Sequence, residues 1–140
     1  MVDELRAMRL LSRVTTNVDQ LEREAHTGLQ HREQSTWLPG VKYLLQTAIE
    51  GCVDVAHHIC AASGLGIPND NGEAMTFLHR HGVIDAQVER AMRQAVGLRN
   101  VLVHEYIGVD DDIVLARIAD LSDLRAYVRQ VIEWMNPSAS

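Results

Sequence analysis

Apolar residues recur at helical spacing along most of the chain. Leu11, Val14, Val18, Leu21 and Ala25 advance by steps of three and four and mark one face of a first helix, while Arg6, Arg9, Arg13, Glu22, Arg23 and Glu24 fill its other faces. The polar stretch from His26 to Thr36 is expected to fray or loop. Ser35 or Thr36 can cap a second helix with Pro39 in its first turn. That helix is expected from Trp37 to about Ser63. Its wide apolar face (Val41, Leu44, Leu45, Ala48, Ile49, Cys52, Val55, Ala56, Ile59) is that of a central helix in a bundle. The run from Gly64 to Gly72 stops it. A short helix is expected over Glu73 to His81, and Asp85 can cap the next, from Ala86 to about Val103. After a break near Ile107 and Gly108, Asp110 can cap a last helix through Met135, with Asp111 and Asp112 at its positive end. Pro39, Pro68 and Pro137 interrupt no long periodic segment, and no alternating β-branched run suggests a sheet. The pattern predicts an all-α fold: an antiparallel four-helix bundle with an additional short helix, one domain over residues 1–140.

Composition narrows this picture. The chain has 140 residues, 46% of them apolar, enough for one domain with a real core and too apolar for a disordered chain. No apolar run reaches the roughly 18 residues of a membrane span. The acidic, amphipathic start (Met1 to Arg6) does not resemble a signal peptide, so a cytoplasmic protein is expected. Thirteen basic and 19 acidic residues leave a net charge of −6, which argues against coating nucleic acid by charge alone. Two cysteines make no disulfide framework. Cys52 and Cys60 share one helix, about 12 Å apart, too far to bridge each other.

Candidate chemistry gathers in Leu98-Arg99-Asn100-Val101-Leu102-Val103-His104-Glu105-Tyr106. Arg99 has the fork geometry that clamps a phosphate. His104 can give or take a proton near neutral pH. Asn100, four residues before His104, projects from the same face. Arg99 is offset from His104 by about 140° on an ideal helix. Either its long side chain swings round, or a two-fold axis brings Arg99 and His104 of two chains into one cleft. Arg90, Arg93 and Arg99 form a local basic patch with no acid between Arg90 and Asn100. The plain alternative is structural: Arg99 pairs with a carboxylate, His104 caps a helix end and Tyr106 packs.

A second polar group, Glu50, Asp54, His57 and His58, lies along one stripe of the second helix. Its functional reading is a set of side chains that orient Arg99 or His104 across the bundle, with Asp54 the foremost candidate. Its structural reading is a face toward solvent or a dimer partner. A metal site built from His57, His58, Cys52 and Cys60 matches no metal-motif spacing. His79 and His81 suit a helix C-terminus. Met75, Phe77 and Leu78 read as packing residues, and Trp37 and Trp134 as core or interface anchors.

Arg99-x-x-x-x-His104-x-Tyr106 resembles the R-x-x-x-x-H-x-Y motif of HepT toxins, within the HEPN superfamily. The segments Ile49 to Ile59, Gly82 to Asp85 and Gly97 to Tyr106 resemble that family in the same order, and the likeness covers about Trp37 to Met135. The resemblance implies a small all-α homodimer whose two motifs meet in a cleft, acting as a metal-independent RNase with no cofactor of its own. It implies a partner too: an MntA-type nucleotidyltransferase antitoxin that uses ATP and Mg²⁺ to place AMP on the motif tyrosine. Carried over residue by residue, Arg99 and His104 would be catalytic, Tyr106 the modified residue, and Asn100 a support for substrate or His104. Attack by a ribose 2′-OH needs no metal and spares DNA. A dimer would carry twice −6, or −12, so RNA affinity is expected to come from a small patch and to fall with salt. Two other readings use the same residues: a non-catalytic helical adaptor that presents Tyr106 to a nucleotidyltransferase, and a plain structural bundle.

Overall fold

The computed structural model describes residues 1–27, 31, 33–104 and 110–139. Among these, six α-helices occur and no strand: α1 (Glu4–Thr27), α2 (Trp37–Ala62), α3 (Asn71–Arg80), α4 (Ala86–His104), α5 (Asp111–Ala119) and α6 (Ser122–Met135). A single 3₁₀ turn (Pro137–Ala139) follows.

The apolar stripe of α1 closes onto α2. Leu11, Val14, Val18 and Leu21 are buried, as are Leu45, Ala48, Ile49, Cys52, Val55, Ala56 and Ile59 of α2. The two helices run antiparallel. The Met1 ammonium donates to the Ala62 carbonyl at 2.6 Å at one end, and Trp37 Nε1 donates to Glu24 Oε2 at 2.8 Å at the other. Midway, Gly51 lets the backbones approach: a Cβ there would lie 2.6 Å from Val14 Cγ2. Because α2 is apolar around much of its circumference, it also receives α3, α4 and α6. Tyr127 of α6 is wholly buried and donates its hydroxyl to the Cys52 carbonyl at 2.8 Å, which satisfies the one polar atom its ring carries into the core. Burial pushes the Tyr127 phenol and the Cys52 thiol well above their ordinary pKa values. Cys52 and Cys60 are both free thiols.

Two expected boundaries are corrected. The last helix is two helices, broken at Asp120 and Leu121. Asp120 Oδ1 accepts from the Ser122 backbone N–H at 3.0 Å and from its hydroxyl at 2.6 Å, so this carboxylate draws the Ser122 amide out of a continuous helix. The short helix begins at Asn71 and not at Glu73, because Asp70 is its N-cap and accepts from the Glu73 N–H at 2.7 Å. Glu73 reaches back to the Asn69 N–H at 3.0 Å, close to a capping box. Thr36 does precede α2, but its side chain makes no capping bond.

Helix α4 carries the candidate chemistry, and its own cap together with bonds to α6 and α3 fixes it. At its start, Asp85 Oδ1 accepts from the Val88 N–H at 2.8 Å. Asp85 and Gln130 of α6 then exchange two hydrogen bonds, Asp85 N–H to Gln130 Oε1 at 2.9 Å and Gln130 Nε2 to Asp85 Oδ2 at 2.8 Å. Farther along, Arg93 Nη1 donates to the Gly72 carbonyl at 3.3 Å and to Thr76 Oγ1, both on α3. Val88, Met92, Ala95 and Leu102 bury the inner face.

Two mid-helix glycines should respond oppositely to the same change. Gly51→Ala drives a methyl group into a β-branched side chain and is expected to cost about 1–3 kcal/mol. Gly97→Ala meets no atom within 4 Å and is expected to add about 1 kcal/mol from helix propensity. Urea unfolding of the two variants beside wild type checks both signs.

Candidate active site

The side chain of Arg99 turns from α4 toward α2 and is 22% exposed. Its Nη2 lies 3.7 Å from Glu50 Oε2. Its Nη1 donates to Asn100 Oδ1 at 3.2 Å. Its Nε is buried and makes no hydrogen bond. Among the described residues the guanidinium is therefore under-satisfied, with one neutral hydrogen bond and one loose ion pair, longer than a charge-assisted hydrogen bond of about 2.8 Å. Arg117, beside Asp123 at 3.4 Å, is the other arginine with buried unpaired nitrogens among the described residues, and it lies outside the motif.

Asn100 and His104 are exposed, one turn apart on α4. The 140° offset between Arg99 and His104 is thus partly closed within one chain, since the guanidinium bends back to the residue that shares His104's side of the helix. His104 is the last residue of α4, and its side chain makes no hydrogen bond to another described residue, so the helix-capping alternative finds no bond there. The carboxylate-pair alternative for Arg99 does find one, in Glu50. Tyr106, with Glu105 and residues 107–109, lies outside the described residues.

The polar stripe of α2 separates into different roles. Glu50 is half-buried and faces Arg99; its other oxygen accepts from Gln46 Nε2 at 2.8 Å. Asp54, the foremost candidate from sequence, is exposed and forms no ion pair with Arg99 or any other described residue. His57 Nε2 sits 2.9 Å from Asn71 Oδ1 of α3, and His58 Nε2 accepts from the Asp3 N–H at 3.0 Å. The two histidines serve opposite neighbours. No group of three or more His, Cys, Asp or Glu among the described residues is placed to hold a metal. Gln46 was not singled out from sequence; its spacing of four from Glu50 was the available signal. His81 Nδ1 meets the Phe77 carbonyl at 2.8 Å, at the C-terminal end of α3, as its position suggested.

Beside Asn100, a cleft of 440 Å³ opens between α4 and the start of α3, lined in part by Arg93, Gly97, Asn71 and Asp70. Arg93 donates to neutral oxygens and makes no ion pair within 4.0 Å of a described carboxylate, and it shares this cleft with the Asp70 carboxylate. The Asp70 carboxylate also caps α3, accepting from the Glu73 N–H.

An all-helical bundle with Arg99, Asn100 and His104 at the end of one helix fits the HEPN resemblance that the sequence carries. The comparisons agree. Residues 7–131 match the family described as Ribonuclease HepT-like, and the chain belongs to that family. It is 34% identical over 88 residues to the mRNA nuclease HepT of Shewanella oneidensis, covering 63% of this chain and 66% of that protein. It is 30% identical over 93 residues to the tRNA nuclease HepT of Aphanizomenon flos-aquae, covering 66% of this chain and 63% of that one. The chain thus spans a little under two thirds of these curated relatives. Among solved structures, it matches a tri-AMPylated Shewanella oneidensis HEPN toxin in complex with MNT antitoxin. The TM-score is 0.83 and the identity 25%, over 94% of this chain and 98% of that one.

The clamp at the start of α4 makes an acid-sensitivity prediction. The bond from the Val88 N–H, then that from Gln130, hold the Asp85 carboxyl below its ordinary 3.8. A lowered folded value means the stabilisation is complete above 3.8 and is lost as pH falls through the folded value. Asp120, lowered chiefly by Ser122, and Glu22, lowered chiefly by Arg125, act in the same direction. Melting curves from pH 7 to 2 should fall most steeply at the acid end. Asp85→Asn should melt lower at pH 7 and show a shallower acid fall.

Proposed function

We propose that this chain is a metal-independent endoribonuclease that works as a cytoplasmic homodimer and is restrained by a nucleotidyltransferase antitoxin that adenylylates Tyr106. The observation that carries the reading is the state of Arg99. A guanidinium held at the α2–α4 seam, under-satisfied and beside Asn100, is suited to phosphate oxygens, which give charge-assisted hydrogen bonds that its present partners do not.

The chemistry uses two functional groups. A ribose 2′-OH attacks the adjacent phosphorus as an imidazole takes its proton. The P–O5′ bond breaks, and a second imidazole, His104 of the other protomer, protonates the leaving oxygen. Arg99 stabilises the charge that develops on the phosphate oxygens. The products are a 2′,3′-cyclic phosphate and a 5′-hydroxyl. The exposure of His104 and Asn100 supports substrate access. Arg93 supplies further local charge on an acidic chain, so RNA affinity is expected to drop with salt. The names of the Shewanella and Aphanizomenon relatives, an mRNA nuclease and a tRNA nuclease, support the substrate class. The AMPylated, antitoxin-bound toxin supports the mode of restraint. AMP on Tyr106 would add a bulky anion that competes with the RNA phosphate for the cationic site. No helix among the described residues is long and apolar enough to cross a membrane.

Purified chain incubated with RNA and a chelator should cleave it. His104→Ala and Arg99→Ala should each lose at least about 100-fold in rate with little change in melting temperature. Identical RNA products from wild type and His104→Ala would leave the adaptor reading in place, and a fall in melting temperature without altered cleavage would leave the structural one. Co-production with the partner, ATP and Mg²⁺ should add whole AMP units to the intact mass. Tyr106→Phe should abolish that gain; modification mapped to another residue would refute the assignment.

A further inference from the structure

The Arg99 guanidinium is held from two sides by groups of different kind. Asn100, its neighbour on α4, accepts one hydrogen bond. Glu50, on α2, offers a full negative charge at 3.7 Å, a distance at which attraction persists and a directed hydrogen bond does not. Glu50 is itself anchored, its second oxygen accepting from Gln46 Nε2 one turn earlier on α2. Gln46, Glu50, Arg99 and Asn100 thus form a chain of side chains spanning the α2–α4 seam and ending on the exposed face that carries His104. Asp54, one turn beyond Glu50, takes no part.

We infer that Glu50 is a positioning residue for Arg99: its carboxylate aims the guanidinium at the reactive phosphate geometry, at a cost in substrate affinity. This inference rests on the nuclease reading given above. The loose separation is what such a role requires. A tight bidentate pair would consume the fork that a phosphate needs, whereas no pair at all would leave a long side chain free among rotamers. A carboxylate near the phosphate-binding cation repels an incoming polyanion, so its removal tightens substrate binding. The same removal lets Arg99 hold the phosphate in unreactive orientations, so turnover slows. Glu50 touches no reacting atom, and its effect passes through Arg99.

The two effects have opposite signs in the kinetic constants, and a merely structural role would not separate them. The test is steady-state cleavage of one single-stranded oligoribonucleotide by wild type, Glu50→Gln, Glu50→Ala and Gln46→Met, with melting curves alongside. In Glu50→Gln the amide oxygen still accepts from Gln46, so size and anchoring persist while the charge goes. This variant should lower kcat by about fivefold and lower KM by about two- to threefold, with the melting temperature nearly unchanged. Glu50→Ala should shift both constants the same way, and Gln46→Met should do so more weakly, by loosening Glu50. Unchanged constants in Glu50→Gln beside an active wild type would overturn this inference alone. So would a kcat that falls in step with melting temperature while KM stays fixed, or a raised KM. A wild-type chain that leaves the oligoribonucleotide intact would fail the nuclease reading and this inference together.

Discussion

The seam between α2 and α4 is the constraint on which the site depends. Helix α2 buries residues around most of its circumference, and it is polar toward α4 at Glu50 and Gln46. Helix α4 can lie against it with an arginine at the contact because that arginine meets a carboxylate there. The pair is partly exposed, so it adds little to stability. Its consequence is orientation. Arg99 is drawn in toward α2, Asn100 and His104 are left outside, and the Arg99–Asn100 bond joins the inward and outward sides. The clamps at Asp85 and Arg93 set the rotation of α4 that makes this arrangement persist.

Much of this order could be read from the chain. The spacing of Leu11, Val14, Val18 and Leu21 marks the buried face of α1, and the broad apolar run from Val41 to Ile59 marks α2 as central. Asp85 and Asp110 cap the helices assigned to them. The errors share one physical origin, local competition by Asp and Ser side chains for backbone amides. Asp120 and Ser122 interrupt a segment whose apolar periodicity continues from Val114 to Met135. Asp70 starts α3 two residues early for the same reason. Hydrophobic periodicity does not register either event, whereas capping chemistry does.

The site was legible as a motif but not as an arrangement. Arg99, Asn100 and His104 stand out because their residue types and spacing suit phosphate chemistry. Which polar residue of α2 would meet Arg99 depended on helix rotation, and rotation is set by packing spread over many residues. Glu50 and Asp54 are one turn apart, and either fits a helical stripe; the structure turns Glu50 inward and leaves Asp54 in solvent. The net charge of −6 also gains meaning here. On the proposed reading, RNA would be held by a few placed cations, Arg99 and Arg93 among them, and not by a diffuse basic field.

The chemistry assigned to Arg99 and His104 leaves a signature on its products, and the most direct measurement is the chemical identity of the RNA ends. Wild-type chain in chelator should leave 2′,3′-cyclic phosphate on one fragment and a 5′-hydroxyl on the other, with cleavage blocked where the nucleotide 5′ to the cut is 2′-deoxy. Ends bearing 3′-hydroxyl and 5′-phosphate, or cutting that persists across a 2′-deoxy nucleotide, would contradict attack by the ribose hydroxyl and with it the roles given to these two side chains.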